Sequence, residues 1–211
     1  MKQKGNRTIV AAIAVCIVVL CIGCVGIYYA GNPWGFSRQV SIEEAIMRLS
    51  IVDTAEKYLG YNESDESHRV IVDIYNSHEP LAQNYLVTYE DSWCAAFVSA
   101  ISIQQGFTEI IPTECGCERQ ISLFQNLGRW EESDSYIPLP GDIIYYDWDE
   151  KLSFSDCIGW SDHVGIVVGT AGPFMKVIEG NKNDAVEYRY IPVNYPEIRG
   201  FGLPDYAAVV P

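Results

Sequence analysis

Acidic residues are missing from the first 30 positions, and basic residues are scarce in everything that follows. The 211-residue chain holds 14 Lys and Arg against 28 Asp and Glu, a net charge of −14. Lys2, Lys4 and Arg7 stand at the start, so the remainder is more acidic still. Such a surface is repelled by nucleic acid and by anionic envelope polymers, which excludes a function that rests on positive charge. No internal repeat or low-complexity tract is present, which argues against solenoids and disordered chains. Seven cysteines are too few for a disulfide scaffold at this length, especially as Cys16, Cys21 and Cys24 fall in an apolar run. What remains is an ordinary globular composition, 48% apolar and 20% charged.

The apolar run covers residues 9–30 behind its three basic residues. At about 1.5 Å of helical rise per residue it is long enough for a hydrocarbon core of about 30 Å. A cleaved signal fits less well, because a cut after Ala30 leaves Tyr28 where a small residue belongs. Cys24 follows Gly23 as a lipid-modified cysteine would, but Cys21 occupies a position where leucine is expected. A buried core helix is disfavoured by length and apolarity. The preferred reading is a permanent single-pass anchor, with residues 1–8 as a cytoplasmic tail and everything beyond the run outside the cell membrane. Residues 31–40, with Gly31, Pro33, Gly35 and Ser37, read as a linker, and 41–211 as one folded domain.

Within that domain, Ser41 and Glu44 form a capping box, and the helix they open carries Ala45, Leu49, Val52 and Ala55 on one stripe before Gly60. Further helices are expected over about 66–75, from near Ser92 to Gly106, and over about 118–127. Then the texture changes. A Pro140-Gly141-Asp142 turn leads into strand-like runs at 143–146, 164–168 and 174–178, with 186–191 and 207–210 completing the set. Helices followed by closely spaced strands predict an α+β fold with a mainly antiparallel sheet.

Three segments carry reactive side chains. If Asp91 or Ser92 caps its helix, Cys94 lies in the first turn, where unpaired amides and the helix dipole favour a thiolate. The same amides can donate to an oxyanion. The competing reading is a buried structural cysteine. His163 opens a buried strand behind Asp162. Glu179 and Asn181 end the next strand, two residues apart and so on one face of an extended chain. If the two strands form a hairpin, one of these groups can hold the imidazole and the other can touch substrate. Asp162 is the rival for holding the ring and ranks lower, because adjacency in a strand points it to the opposite face.

Trp93-Cys-Ala-Ala-Phe-Val98, Pro140-Gly-Asp-Ile-Ile-Tyr-Tyr-Asp-Trp148, Asp162-His-Val-Gly-Ile-Val167 and Ile178-Glu-Gly-Asn181 together resemble, in order, the blocks of the CHAP family, the cysteine- and histidine-dependent amidohydrolases/peptidases. The related NlpC/P60 hydrolases share the Cys-then-His order, but the Glu179-Gly180-Asn181 block favours CHAP. The resemblance implies a papain-like fold over 41–211 and cleavage of peptidoglycan. The bond is either that between muramic acid and the stem peptide or one within the peptides. It makes Cys94 the nucleophile, His163 the general base and Glu179 the orienting acid, with Asn181 nearby. A cysteine hydrolase acting on a non-wall amide, or a membrane-tethered binding domain without turnover, are the alternatives.

No Asp-x-Asp-x-Asp spacing precedes Cys94, so neither calcium nor another metal or cofactor is expected. Residues between Asp149 and Asp162, with Cys157, Gly159 and Trp160, form an insertion that could make a lip over the cleft. Cys115 and Cys117 lack further metal ligands nearby, and unpaired half-buried thiols are favoured over a disulfide to Cys157. Trp93 lines a subsite or simply packs; Tyr145, Tyr146 and Trp148 are read as sheet packing; His68 and His78 are read as incidental. The expected partners are peptidoglycan and the membrane, not nucleic acid.

Overall fold

The computed structural model describes residues 17–18, 27–28, 34–133, 135–148 and 160–210. Of the apolar run it describes two short strands, β1 (Ile17–Val18) and β2 (Ile27–Tyr28), paired antiparallel with Ile17 opposite Tyr28. The rest of the expected anchor lies outside the described residues. Among the described residues no helix is long and apolar enough to cross a membrane.

Four α-helices follow among the described residues: α1 (Ile42–Glu56), α2 (Arg69–Asn76), α3 (Cys94–Gln105) and α4 (Cys117–Asn126). Helix α1 starts where its cap predicts, with the Glu44 amide donating to Ser41 Oγ at 3.0 Å. Glu44 does not complete the box. Its carboxylate instead accepts from Arg48 Nε at 2.7 Å, one turn on, because Arg48 is buried and needs anionic partners. Helix α3 is buried on every side from Cys94 to Ser102 and forms the centre of the domain. Its polar residues are satisfied by the loop beyond it: Ser99 Oγ donates to the Glu114 carbonyl and Ser102 Oγ to that of Ile111.

The strands are β3 (Trp130–Glu131), β4 (Ile143–Tyr146), β5 (His163–Ala171), β6 (Phe174–Lys182), β7 (Ala185–Pro192) and β8 (Ile198–Gly202). They form one antiparallel sheet in the order β3-β8-β4-β5-β6-β7. The fold is therefore α+β with an antiparallel sheet, as the run of helices before strands predicts. Two details differ. Strand β8 pairs in the middle of the sheet although its Ile-Arg-Gly-Phe-Gly sequence is poor in strand formers. Residues 207–210, expected as strand-like, fall mostly in a 3₁₀ turn over Tyr206–Val209 that buries Tyr206.

Alternation along the strands separates two cores. Ile143, Tyr145, Val164, Ile166 and Ile178 face the helices, while Ile144, Tyr146, Val167, Met175 and Val177 face the other layer. The 140–142 turn ties the sheet to α1. Asp142 accepts from Arg48 Nη1 at 2.9 Å, from the Leu139 amide at 2.8 Å and from the Tyr136 hydroxyl at 2.5 Å. Gly141 sits at φ +83°, and a β-carbon there would lie 2.7 Å from the Tyr206 hydroxyl oxygen. That tie fixes where β4 begins, and β4 carries the aromatic residues beside the site.

Candidate active site

Cys94 is the first residue of α3, and its helix crosses directly over β5 and β6. What brings the helix so close is the absence of side chains beneath it. A β-carbon on Gly180 would stand 2.4 Å from Phe97 Cβ, and one on Gly165 would stand 2.7 Å from Glu179 Cγ. Both glycines of the Asp162-His163-Val164-Gly165 and Glu179-Gly180-Asn181 blocks are therefore spaces: one for the helix, one for the Glu179 side chain.

His163 opens β5 opposite Tyr146, and its Nε2 lies 3.1 Å from Glu179 Oε2. With that nitrogen engaged, Nδ1 is the one left to face sulfur. The thiol and the imidazole are close enough to shift each other's ionisation, His163 drawing the thiol down and Cys94 drawing the imidazole up. Cys94 and His163 keep only slivers of surface, 6% and 8%, and Glu179 keeps none.

The electrostatics follow from these contacts. Cys94 is held well below the ordinary thiol range, first by a hydrogen bond from Cys117, then by His163 and the Ala95 amide, which together outweigh burial. Burial alone would pull the His163 pKa down. Hydrogen bonds to Cys94 and Glu179 overcome it and raise the value to about 9. Burial likewise pushes Glu179 up, and the bonds from His163 and Arg189 reverse it, leaving a carboxylate.

At Asn181 the strand geometry changes. The β6–β7 register shifts between Glu179 and Lys182, and Asn181 takes φ +57°, so the two-residue alternation expected from Glu179 is broken. Asp162 turns to the loop instead, accepting from the Trp148 amide at 3.0 Å. Trp93 is fully buried, donates from Nε1 to Glu63 at 3.0 Å and packs beside His68; it does not line a cleft. His68 is itself buried, with Nε2 3.1 Å from the Tyr89 carbonyl, which makes it structural. Of the expected lip, residues 149–159 lie outside the described residues, and Trp160 is 72% exposed.

Two neighbours of the site were not legible in the sequence. Arg189 on β7 donates through Nε to both Glu179 oxygens, at 2.7 and 3.0 Å, and its guanidinium lies 4.7 Å from the centre of the Trp148 ring. Trp148 stacks on Tyr146 at 4.6 Å, and both rings flank His163 at about 6 Å. A basic residue in an alternating edge strand reads as a solvated one, so only the three-dimensional pairing reveals it. The other neighbour is Cys117, the first residue of α4, buried with its sulfur 3.6 Å from that of Cys94. Cys115 is half-buried and turned elsewhere, its thiol donating to Glu114 at 3.5 Å. Among the described residues no group of three or more His, Cys, Asp or Glu side chains is placed to hold a metal ion.

Residues 84–181 match the family model of the CHAP domain. This segment is a CHAP domain. It spans helix α3, the whole of α4 and the strands up to the end of the Glu179-Gly180-Asn181 block, so Cys94, His163, Glu179 and Asn181 all fall inside it. CHAP domains are typically cysteine- and histidine-dependent amidohydrolases or peptidases, and the match suggests a hydrolase of the peptidoglycan amidase or peptidase type. No curated protein and no solved structure matches the chain.

Proposed function

We propose that the domain hydrolyses an amide bond of peptidoglycan, either the muramoyl–peptide bond or one within the stem peptides, with Cys94 as nucleophile. What supports this reading is a thiol at a helix start and an imidazole that shift each other's ionisation, with the imidazole's Nε2 beside a buried carboxylate. The arrangement is papain-like in its logic: sulfur on a helix, base on the sheet.

The thiolate attacks the amide carbon, and the charge that develops on oxygen is met by first-turn amides of α3, which have no partner within the helix. The imidazolium then gives its Nδ1 proton to the departing amine. The thioester that remains is cleared by a water from which His163 takes a proton, returning the site to its starting state. Glu179 keeps the ring oriented and stabilises its positive charge throughout, and Arg189 keeps Glu179 ionised. Asn181, two residues further, is proposed to contact substrate at the mouth of the site. No metal or cofactor enters any step.

The apolar run at 9–30 is proposed to tether this domain on the outer face of the cell membrane. The test of activity is release of soluble fragments from purified walls, with new amino groups counted. Wild-type protein should release them and Cys94→Ala should not, at unchanged thermal stability. Equal release by the variant would remove Cys94 from the mechanism. Fractionation of cells with and without residues 1–30 tests the tether, which is lost as an idea if both forms behave alike.

A further inference from the structure

Sulfur atoms of two different helices meet at this site. Cys94 and Cys117 each begin a helix, each is buried, and their Sγ atoms are 3.6 Å apart with no other group between them. Two sulfurs in contact need only about 1.5 Å of further approach to reach the disulfide bond length of about 2.05 Å, a movement within the reach of side-chain torsions. We propose that Cys117 is the resolving thiol of Cys94, so that a small hydroperoxide reaching the nucleophile converts the pair into a reversible disulfide that blocks the site.

The order of events follows from which sulfur is which. The hydrogen bond between them holds Cys94 toward the thiolate and Cys117 toward the thiol. The thiolate is the sulfur that attacks peroxide. Cys94 sulfur forms a bond to one peroxide oxygen as the O–O bond breaks, and the released hydroxide takes the imidazolium proton and leaves as water. Cys94 is now a sulfenic acid. The Cys117 sulfur then attacks the Cys94 sulfur, the S–O bond breaks, and the Cys117 proton leaves with the hydroxide as a second water. Two thiol sulfurs have each lost one electron, and one peroxide has taken both.

Placement gives this a purpose. A sulfenic acid left without a neighbour proceeds under excess peroxide to sulfinic acid, which is irreversible without a dedicated repair enzyme. A second thiol in van der Waals contact intercepts it first. Cys115, two residues away, does not serve: its thiol donates to Glu114 and also lies near Gln83, at 3.9 Å.

The inference rests on the proposed function only for the loss of hydrolysis; the disulfide itself is read directly. The full chain is treated with hydrogen peroxide, digested without reductant and mapped by mass spectrometry. The expected product is a peptide linking Cys94 to Cys117, lighter by two hydrogens, with iodoacetamide labelling of both residues lost together and restored by dithiothreitol. In Cys117→Ser, and in Cys117→Ala as a second variant, Cys94 should instead gain two oxygens and stay blocked after dithiothreitol. Sulfinic acid at Cys94 forming as fast in wild type as in these variants, or a link from Cys94 to Cys115 or Cys157, overturns the proposal. A linked pair in a protein that fails to open walls would spare this inference and sink the hydrolase reading.

Discussion

Replacing Gly180 with alanine adds one methyl group under the helix that carries Cys94. Its carbon would stand 2.4 Å from Phe97 Cβ, 2.6 Å from Phe97 Cγ and 3.0 Å from Trp93 Cζ3. Carbon atoms rest at about 3.5–4.0 Å, so α3 and β6 must separate by about 1 Å. Phe97 cannot swing aside, since the closest atom is its Cβ, fixed to the helix backbone, and the ring is fully buried. Gly180 is not in the left-handed region, so backbone strain plays no part. Overpacking of this kind costs about 1–3 kcal/mol, and each kcal/mol lowers Tm by about 2–4 °C in a chain of this size. The chemical effect should be larger than the thermal one. Cys94 lies one turn from Phe97, and a misplacement of about 1 Å between reacting groups costs about 100-fold in rate. Differential scanning fluorimetry and the iodoacetamide rate at Cys94 read the two effects, with Gly35→Ala as control because nothing lies within 4 Å of its β-carbon. A Gly180→Ala protein with unchanged Tm and unchanged thiol reactivity would refute the close approach of helix and strand on which the site depends.

Arg189→Met should lower stability by about 2 kcal/mol, less than the 3–5 expected of a fully buried pair because the arginine is partly exposed. It should also move the His163 titration upward, since Glu179 no longer shares its charge with arginine; an unmoved titration by histidine NMR would deny Arg189 its positioning role. Asp142→Asn leaves Arg48 buried with only Glu44 as an anionic partner and should cost about 3 kcal/mol or more, read as a fall in denaturant midpoint; a change below about 0.5 kcal/mol contradicts the tie. His163, raised to about 9, contributes stability that is full below pH 6.5 and fades as pH climbs through 9, while Cys94, lowered from 9.0, contributes in the opposite sense. One proton has moved from sulfur to nitrogen, so the two slopes oppose each other and the pair adds little pH dependence to Tm between pH 6.5 and 9. Cys94→Ala removes the largest cause of the raised His163 value, so burial should bring the histidine titration down; a titration by histidine NMR that does not fall in this variant would argue against the ion pair.

The sequence exposed most of the site because its chemistry lies in short blocks with local meaning. An apolar helix locates Cys94 at its start, although neither Asp91 nor Ser92 caps it: Trp93 holds the cap position with no side-chain bond, and Asp91 accepts from Thr88 and Tyr85 instead. A histidine before Val-Gly-Ile-Val is located by the strand it opens. Glu179 could be ranked above Asp162 by strand alternation alone, and the structure puts Glu179, not Asp162, on the His163 ring. The same alternation does not run on through Asn181, because a register shift there cannot be seen in a strand read without its partner. Strand β8 was missed for a related reason. Gly200 and Gly202 weaken any propensity signal, yet they make room for Trp130 and Phe124, whose rings would lie within 2.6 Å of a β-carbon there.

Arg189 and Cys117 show the deeper limit. Neither has a local pattern, since an arginine on an edge strand is usually solvated and a Cys-Gly-Cys segment has no fixed meaning. Each acquires a role only from what the fold sets against it: a fully buried carboxylate in one case, a reactive sulfur in the other. The two act on opposite ends of one chain of contacts, Cys117–Cys94–His163–Glu179–Arg189, in which every charged member faces an opposite charge or a donor. A thiolate and a carboxylate share one imidazolium, and without Arg189 and the Cys117 thiol the buried site would hold two anions against a single cation. Burial of that excess is costly. The outer pair therefore makes the inner three compatible with a dry interior, and removal of either end should be felt first in the ionisation of the groups between them.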